Sequence, residues 1–257
     1  MSAAADELGI AHFDYLLQLA DTSLVLGQRL GELIGHAPAL EEDLGLANIA
    51  LDLIGQARLL LSHAGAIEAR GRTEDQLAFL RTQDEFRNLV LAEQPNGDFA
   101  CTITRQLLID AWQLELHEWL QQSSDAQLAA IAAKAIKETR YHFRFSASWL
   151  VRLGDGTAES RQRAQQALQQ LWPYTREMFE EQEADRLLAR EGVAPPLAAL
   201  ESAWRARVAG VLGEATLEQP ASTPYRWHGR RGVHSEHLGH LLAEMQYLQR
   251  AYPGAQW

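Results

Sequence analysis

Glu138 and His142 are the residues whose types and spacing point most directly to chemistry. They lie four positions apart in a stretch of helical character, so both side chains project from one helical face. A carboxylate and an imidazole facing the interior of a helical bundle are the groups with which such bundles hold iron. The usual iron-binding motif is Glu-x-x-His, however, and the residue three positions before His142 is Thr139. The helix is therefore either a working metal helix or the remains of one.

Other polar residues lie within apolar predicted helices. Glu32 comes late in the first of them, and Asp110 lies between Ile109 and Ala111 in the third long one. Each is either a ligand or a surface residue, and a lone Asp on such a helix is more often at the surface. The second helix is apolar nearly all round except for a stripe that includes Asn48, Asp52 and Gln56. That stripe faces either solvent or a polar centre inside the bundle.

Helical periodicity dominates the chain, and strand-like alternation is nearly absent. The pattern predicts helices over 6–34, 41–66, 74–91, 99–121, 124–153, 197–217 and 235–251. A further helix begins near Ala158, and Pro173 should kink or split it. No long polar linker separates these segments. We therefore expect an all-α protein with a single domain over residues 1–257, built as a four-helix bundle with additional helices.

The charge balance narrows the class of protein. The chain has 257 residues and a net charge of −11, which argues against general binding to nucleic acid or to anionic membranes. Cys101 is the single cysteine, so an intrachain disulfide is excluded. The sequence presents no run of about 18 apolar residues and no secretory leader at its beginning. These features predict a cytoplasmic protein that does not span a membrane.

Histidines near the last helix are a weaker candidate site. His237, His240 and Glu244 share roughly one face of this helix, close to His234, so a zinc site is conceivable. Ligands at i, i+3 and i+7 give poor tetrahedral geometry. The alternative is a helix packed in an interface, with histidines that form hydrogen bonds.

The loop over residues 225–232 is a basic patch with two aromatic residues in an acidic protein. Such a loop could bind phosphate or coenzyme A, dock an acidic partner, or remain solvated. Docking is the favoured interpretation, because arginine and aromatic residues are enriched among interface anchors. The residues expected at a partner interface are Trp227, Arg230, Arg231, Leu241, Met245 and Trp257.

Four long stretches carry a resemblance to a known family. They read LVLGQRLGELIGHAPALEEDLGLANIALDLIGQARLLL, LAEQPNGDFACTITRQLLIDAW, AIAAKAIKETRYHFRFS and HSEHLGHLLAEMQYLQRAYPGAQW. In these stretches the sequence resembles the structural subunits of bacterial phenylacetyl-CoA epoxidases, which are multicomponent monooxygenases that epoxidise an aromatic ring. The resemblance implies a ferritin-like fold and a relation to the catalytic subunit of the same complex, which binds two irons.

The resemblance also implies where iron ligands would lie. The six corresponding positions are Glu32, Leu53, Gln56, Asp110, Thr139 and His142. Both members of the second-helix Glu-x-x-His are replaced, by Leu53 and Gln56, and Thr139 replaces the fourth-helix glutamate. Two ferrous ions need about four negative charges nearby, and only Glu32 and Asp110 supply any. The resemblance therefore implies a vestigial site, whose remaining polar residues are kept by hydrogen bonds and by pairing with charges such as Lys137 or Arg140.

Two functions follow as alternatives. The first is a non-catalytic subunit, without a cofactor of its own, in an oxygen- and NADPH-dependent epoxidase of phenylacetate catabolism. Its expected partners are the di-iron catalytic subunit, a small bridging subunit and, indirectly, a flavin and iron–sulfur reductase. The second is an independent mononuclear metalloenzyme that uses Glu32, Asp110, Glu138 and His142. The missing ligands at Leu53 and Gln56 weigh against the second.

Overall fold

A computed structural model of the chain describes residues 3–221 and 226–255. Within these ranges the protein is all-α, 74% helical and without strands, as expected for a ferritin-like bundle with additional helices. The helices are α1 (Ala3–Gly31), α2 (Leu40–Glu68), α3 (Glu74–Phe79), α4 (Phe99–Leu120), α5 (Ala126–Gly154), α6 (Ala158–Leu171), α7 (Glu183–Arg190), α8 (Leu197–Glu214), α9 (Glu236–Met245) and α10 (Tyr247–Ala251). The fold-class prediction is confirmed.

The chain divides into two compact units. The first comprises Met1–Pro95 and Trp227–Trp257, and the second comprises Asn96–Arg226. The first unit therefore contains α1 to α3, α9 and α10, and the second contains α4 to α8. A single domain over residues 1–257 stays a prediction.

In the first unit, α1 and α2 pack closely against each other. Gly27 permits the approach, since a Cβ added there would lie 3.1 Å from Cγ1 of Ile54 and 3.2 Å from the carbonyl oxygen of Ala50. Many residues of α1 that face the core are aliphatic and fully buried, such as Leu26 and Leu30. Burial of this apolar face, rather than helix propensity, stabilises the pair.

The segment after α3 departs from the predicted helix over 74–91. Helix α3 ends at Phe79, and a 3-10 turn at Gln83–Glu85 leads into irregular chain. Side chains of α1 hold this irregular backbone: Asp21 accepts a hydrogen bond from the Arg87 amide at 2.8 Å, and Thr22 accepts one from the Leu89 amide at 3.1 Å. Asp21 also forms a buried ion pair with Arg81. These tertiary bonds replace helical hydrogen bonds, and periodicity alone cannot reveal them.

In the second unit, α4 is the central helix and is buried nearly all round. Helices α5, α6 and α8 pack against it, and the indole of Trp204 on α8 donates a hydrogen bond to the Leu108 carbonyl at 3.0 Å. As expected, the helix that begins at Ala158 stops at Leu171, and Pro173 lies in the 3-10 segment Trp172–Phe179 that follows. The helix ends early because proline cannot donate a backbone hydrogen bond.

Helix α2 departs from the expectation that no segment is apolar enough to span a membrane. By length and composition alone it could cross one, and it is the one such helix in the part of the chain that the structure describes. Half of its most apolar 18-residue window is buried inside the protein. A core helix of a soluble protein passes the same test, so this observation is weak evidence for a membrane span.

The predicted last helix is also interrupted. Gln246 separates α9 from α10, and its buried side-chain amide donates hydrogen bonds to the carbonyls of Ala78 at 3.2 Å and Arg81 at 3.0 Å. The inner face of α9 packs into the first unit through Leu238, Leu241 and Leu242, all of which are buried. The C-terminal helices are thus part of the core of this unit.

Candidate functional site

Two facing columns of polar side chains lie inside the second unit, one on α4 and one on α5. They consist of Gln106, Asp110 and His117 on α4, and of Thr139, His142 and Ser146 on α5. All six residues are buried. On α4 the outer members of the column are eleven residues apart, which is about three helical turns. On α5 they are seven residues apart, which is about two turns. Each column therefore occupies one helical face. The cluster is a polar seam inside the core of the second unit.

Hydrogen bonds hold both oxygens of the Asp110 carboxylate. The Ser146 hydroxyl donates to Oδ2 at 2.7 Å, and the Gln106 amide donates to Oδ1 at 2.6 Å. A buried carboxylate costs several kcal/mol of desolvation unless such partners are present. The seam therefore supplies Asp110 with protein hydrogen-bond donors on both sides.

His117 and Thr139 form a second bond across the seam. Their Nδ1 and Oγ1 atoms lie 3.0 Å apart, while Thr139 donates its hydroxyl proton to the Ala135 carbonyl at 3.0 Å. The donor in the first contact depends on the tautomer of His117: with Nδ1 protonated, His117 donates to the Thr139 hydroxyl. Thr139, which occupies an expected glutamate position, therefore has hydrogen-bond partners on both helices of the seam.

The order of these bonds gives the direction of the helices. Asp110 pairs with Ser146, and His117, two turns later on α4, pairs with Thr139, two turns earlier on α5. The helices are therefore antiparallel. His142 lies between the two bonds on α5, and its imidazole lies close enough to act electrostatically on both Asp110 and His117.

Burial shifts the protonation of two of these groups. Desolvation raises the pKa of Asp110 to about 6, opposed by the His142 imidazole and by the hydrogen bonds from Ser146 and Gln106. Desolvation, together with the nearby His142, lowers the pKa of His117 to about 4. Both shifts disfavour the charged form, as expected for groups removed from water.

The structure does not arrange the seam as a three-ligand metal site. In the described ranges, neither Asp110 nor His142 belongs to a group of three His, Cys, Asp or Glu ligand atoms at metal-binding separations. Glu138 is only partly buried and lies beside the column of α5 rather than in it. The absence of bound iron from this chain stays a prediction.

The expected positions in the first unit have other surroundings. Leu53 and Gln56 are buried on α2. Glu32 follows the last residue of α1, is exposed, and accepts two hydrogen bonds from Nη1 of Arg29, at 2.8 and 3.0 Å. Arg29 is therefore an ion-pair partner of Glu32 within the first unit. Glu32 lies at the surface end of the helix, outside the buried polar set.

The histidines at the start of α9 do not converge into a zinc site. The buried ring of His234 lies 3.2 Å from a carboxylate oxygen of Glu93 and 3.0 Å from the Phe86 carbonyl, so both ring nitrogens have partners. Glu93 also accepts the Ser235 amide at 2.7 Å. Among the described residues, His237 and Glu244 join no group of three candidate ligands. The alternative interpretation, histidine in a packed region with hydrogen bonds, describes His234 well.

The basic loop and its neighbours provide part of the expected partner surface. Trp227 and Arg230 are partly buried, Arg231 is exposed, and Met245 is partly exposed. Gly232 has a φ of +78°, and a Cβ there would lie 2.2 Å from the Asp84 carbonyl oxygen, so the backbone at Gly232 lies close against Asp84 within the first unit. Leu241 is only 4% exposed and belongs to the core, so it is removed from this surface. Trp257 lies outside the described residues.

Three residues of the seam were not predicted from the sequence: Gln106, His117 and Ser146. They are polar residues of common types, and each is consistent with an ordinary surface position when considered alone. The usable signal was their spacing of four or seven residues from Asp110 or His142, which places all of them on the same two helical faces.

The antiparallel helices and the buried carboxylate–histidine seam define a helical-bundle protein of the ferritin-like class. Within that class, the family of phenylacetic acid catabolic proteins matches residues 2–257, and the chain belongs to this family. It is similar to a subunit of the 1,2-phenylacetyl-CoA epoxidase of Escherichia coli (strain K12), the one designated C. The two are 56% identical over 243 residues, which cover 95% of this chain and 98% of the relative. The family expected from the resemblance is confirmed.

Proposed function

We propose that this chain is the structural subunit of a phenylacetyl-CoA epoxidase complex and supports a di-iron catalytic subunit. Membership of such a complex rests on the extensive similarity to one subunit of the Escherichia coli epoxidase. The reaction assigned to the whole complex is the oxygen- and NADPH-dependent epoxidation of the aromatic ring of phenylacetyl-CoA. This chain contributes no redox chemistry of its own in the proposal.

The non-catalytic role is supported by the types and contacts of the residues at the expected iron positions. Leu53 has no ligand atom, and Thr139 is bonded to His117. Of the carboxylates that remain, Asp110 receives two protein hydrogen bonds, and Glu32 pairs with Arg29 at the surface. Several ligand positions are thus replaced, and the carboxylates that remain are bonded to other protein groups. This pattern favours a helical bundle whose role is packing rather than metal binding. The same contacts weigh against the mononuclear alternative.

The proposed partners follow from this role. The di-iron catalytic subunit binds this chain directly, together with a small bridging subunit, and a flavin and iron–sulfur reductase acts on the complex indirectly. Iron resides in the catalytic subunit, and the whole assembly is cytoplasmic. Nucleic acid and membranes are not among the proposed partners.

For the partner surface we propose the basic loop with the outer side of the C-terminal helices. Arg231 is exposed, and the aromatic and aliphatic residues Tyr247, Leu248 and Tyr252 of the same unit are 62%, 46% and 56% exposed. Arginine and aromatic residues are enriched among interface anchors. Trp227 and Met245 complete this surface.

Affinity co-purification tests the proposal. The tagged chain is expressed with the catalytic subunit, and iron is measured in the complex and in each chain alone. We expect a stable complex whose iron belongs to the catalytic subunit. Arg231→Glu should weaken the complex at least tenfold, whereas Lys134→Glu, at another exposed basic position, should leave it intact. Stoichiometric iron in this chain alone, or no complex with the wild-type chain, would refute the proposal.

A further inference from the structure

A cavity of about 400 Å³ lies in the second unit, next to the segment that follows α6. Its lining residues come from the 3-10 segment Trp172–Phe179, from α8 and from the chain around Gln219 and Arg226. All of these elements belong to the second unit. The volume falls within the range of roughly 300–1,000 Å³ that is usual for small-molecule sites.

One part of the cavity is aromatic and is held in place by the core. Trp172 and Phe179 line it, and both rings pack against the buried indole of Trp204, with centroid distances of 5.5 and 5.2 Å. Trp204 is itself fixed by its hydrogen bond to the Leu108 carbonyl. Rings that are already ordered suit a planar group of a ligand, because little freedom is lost when the two stack.

The cavity is also lined by three arginines, Arg176, Arg205 and Arg226. Nε and Nη2 of Arg205 donate hydrogen bonds to Glu201 at 2.8 and 2.6 Å, and Nη1 of Arg226 donates one to Glu180 at 3.1 Å. A guanidinium has five N–H donors, so these bonds use only part of the capacity of each group. The glutamates orient the arginines and leave donors for a ligand.

The charge of this lining differs in sign from that of the whole protein. The chain carries a net charge of −11, whereas the lining combines three arginines with two glutamates. Guanidinium groups bind phosphate oxygens in a forked geometry and also stack on flat rings. Because the glutamates offset most of the positive charge, a bare anion gains little here. An anion that adds a planar ring, and so uses the aromatic wall, is favoured.

We propose that this cavity binds a nucleotide, with its base against Trp172 and Phe179 and its phosphates against the arginines. The proposal goes beyond the proposed function and does not rest on it, because it concerns a site formed by the second unit of this chain alone. A free nucleotide and the nucleotide end of a larger cofactor share this chemistry, and the experiments below distinguish them.

Calorimetric titration of the full chain with ADP tests the site. We expect saturable binding of one ADP per chain. Adenosine, which lacks the phosphates, and pyrophosphate, which lacks the base, should each bind at least tenfold more weakly, since each reaches only one part of the cavity. Absence of ADP binding, or equal affinity for ADP and pyrophosphate, would overturn the proposal.

A matched pair of arginine variants tests the location. Arg205→Gln should weaken ADP binding at least tenfold, whereas Arg163→Gln on α6 should leave it unchanged. Both side chains are just over half exposed, and each pairs with a glutamate four residues earlier, but only Arg205 lines the cavity. Helical circular dichroism verifies that both variants are folded. An equal effect of the two substitutions would show that general surface charge attracts the ligand and would contradict the site.

Phe179→Leu tests the placement of the base, because it removes the ring and keeps an apolar side chain. This variant should weaken ADP binding several-fold and leave the weak binding of pyrophosphate unchanged. An unchanged affinity for ADP would refute stacking in this cavity.

Competition experiments identify the source of the nucleotide and exclude another ligand class. Coenzyme A carries an adenine base and phosphates, so binding at least tenfold tighter than that of ADP would assign the cavity to the nucleotide end of a larger cofactor, and equal or weaker binding would assign it to a free nucleotide. Phenylacetate should not displace ADP. Saturable binding of phenylacetate instead of ADP, lost in Arg205→Gln, would assign the cavity to an aryl carboxylate and overturn the proposal. These titrations use the chain alone, so their outcome is independent of whether it joins an epoxidase complex.

Discussion

Replacing Asp110 with Asn should change how the stability of the protein depends on pH. Asp110 is fully buried, and its pKa is raised from 3.8 to about 6. This difference corresponds to about 3 kcal/mol between the two protonation states. Because the folded state holds the proton more tightly than the unfolded state, the contribution of Asp110 is greatest below pH 3.8 and is lost as the pH rises through 6.

Asparagine has nearly the same shape but does not titrate in this range. Asp110→Asn also replaces one acceptor oxygen with an NH₂ group, so a bond from Ser146 or Gln106 is lost, at a pH-independent cost of about 1–3 kcal/mol. The informative quantity is therefore the difference in unfolding free energy between wild type and variant as a function of pH.

Urea unfolding at several pH values between 4 and 7.5 measures this difference directly. We expect the wild-type advantage to be larger at pH 4 than at pH 7.5 by about 2 kcal/mol, since part of the full difference is already lost at pH 4. Subtraction of the two proteins removes the contributions of the other titrating groups. A difference that stays constant within about 1 kcal/mol, or one that grows with pH, would refute the description of Asp110 as a carboxyl whose pKa is raised by burial.

Three other perturbations have defined outcomes. His117→Gln should show the opposite pH trend: burial lowers the pKa of His117 from 6.5 to about 4, so the wild-type advantage in urea unfolding should be complete above pH 6.5 and fall by about 3 kcal/mol toward pH 4. Asp21→Asn leaves Arg81 buried without its charge partner and should lower the unfolding free energy by about 3–5 kcal/mol, whereas loss of less than 1 kcal/mol would contradict the buried pair. Gly232→Ala meets the Asp84 carbonyl and should lower the melting temperature by several degrees, with no loss expected for Gly31→Ala, where the added Cβ meets nothing.

Much of the helical architecture could be predicted from the sequence, because periodicity and helix-ending residues are local signals. Pro173 marks the end of α6, and Asp98 caps the start of α4 through the Cys101 amide. The segment after Phe79 could not be predicted in this way. Its backbone bonds go to Asp21 and Thr22, more than sixty residues away, and only the tertiary structure brings them together.

The polar seam was partly predictable. Asp110 and His142 stood out because metal-binding bundles use these residue types, whereas Gln106 and Ser146 have no such association. The apolar residues of α9 show a different limit of sequence reasoning. A stripe that includes Leu241 predicts an apolar face of the helix but not which surface covers it. In the structure, Leu241 is buried within the protein itself. Glu32 was a plausible interior residue from its position in a helical pattern, but α1 ends one residue earlier.

Epoxide formation by the catalytic subunit, with and without this chain, tests the central proposal most directly. The iron-bearing subunit is produced alone or co-expressed with this chain, and soluble yield and product are measured after addition of reductase, NADPH and phenylacetyl-CoA. We expect the catalytic subunit to be poorly soluble or inactive alone, and to be active in the complex, while this chain alone forms no product. A catalytic subunit that is soluble and fully active without this chain would contradict the structural role.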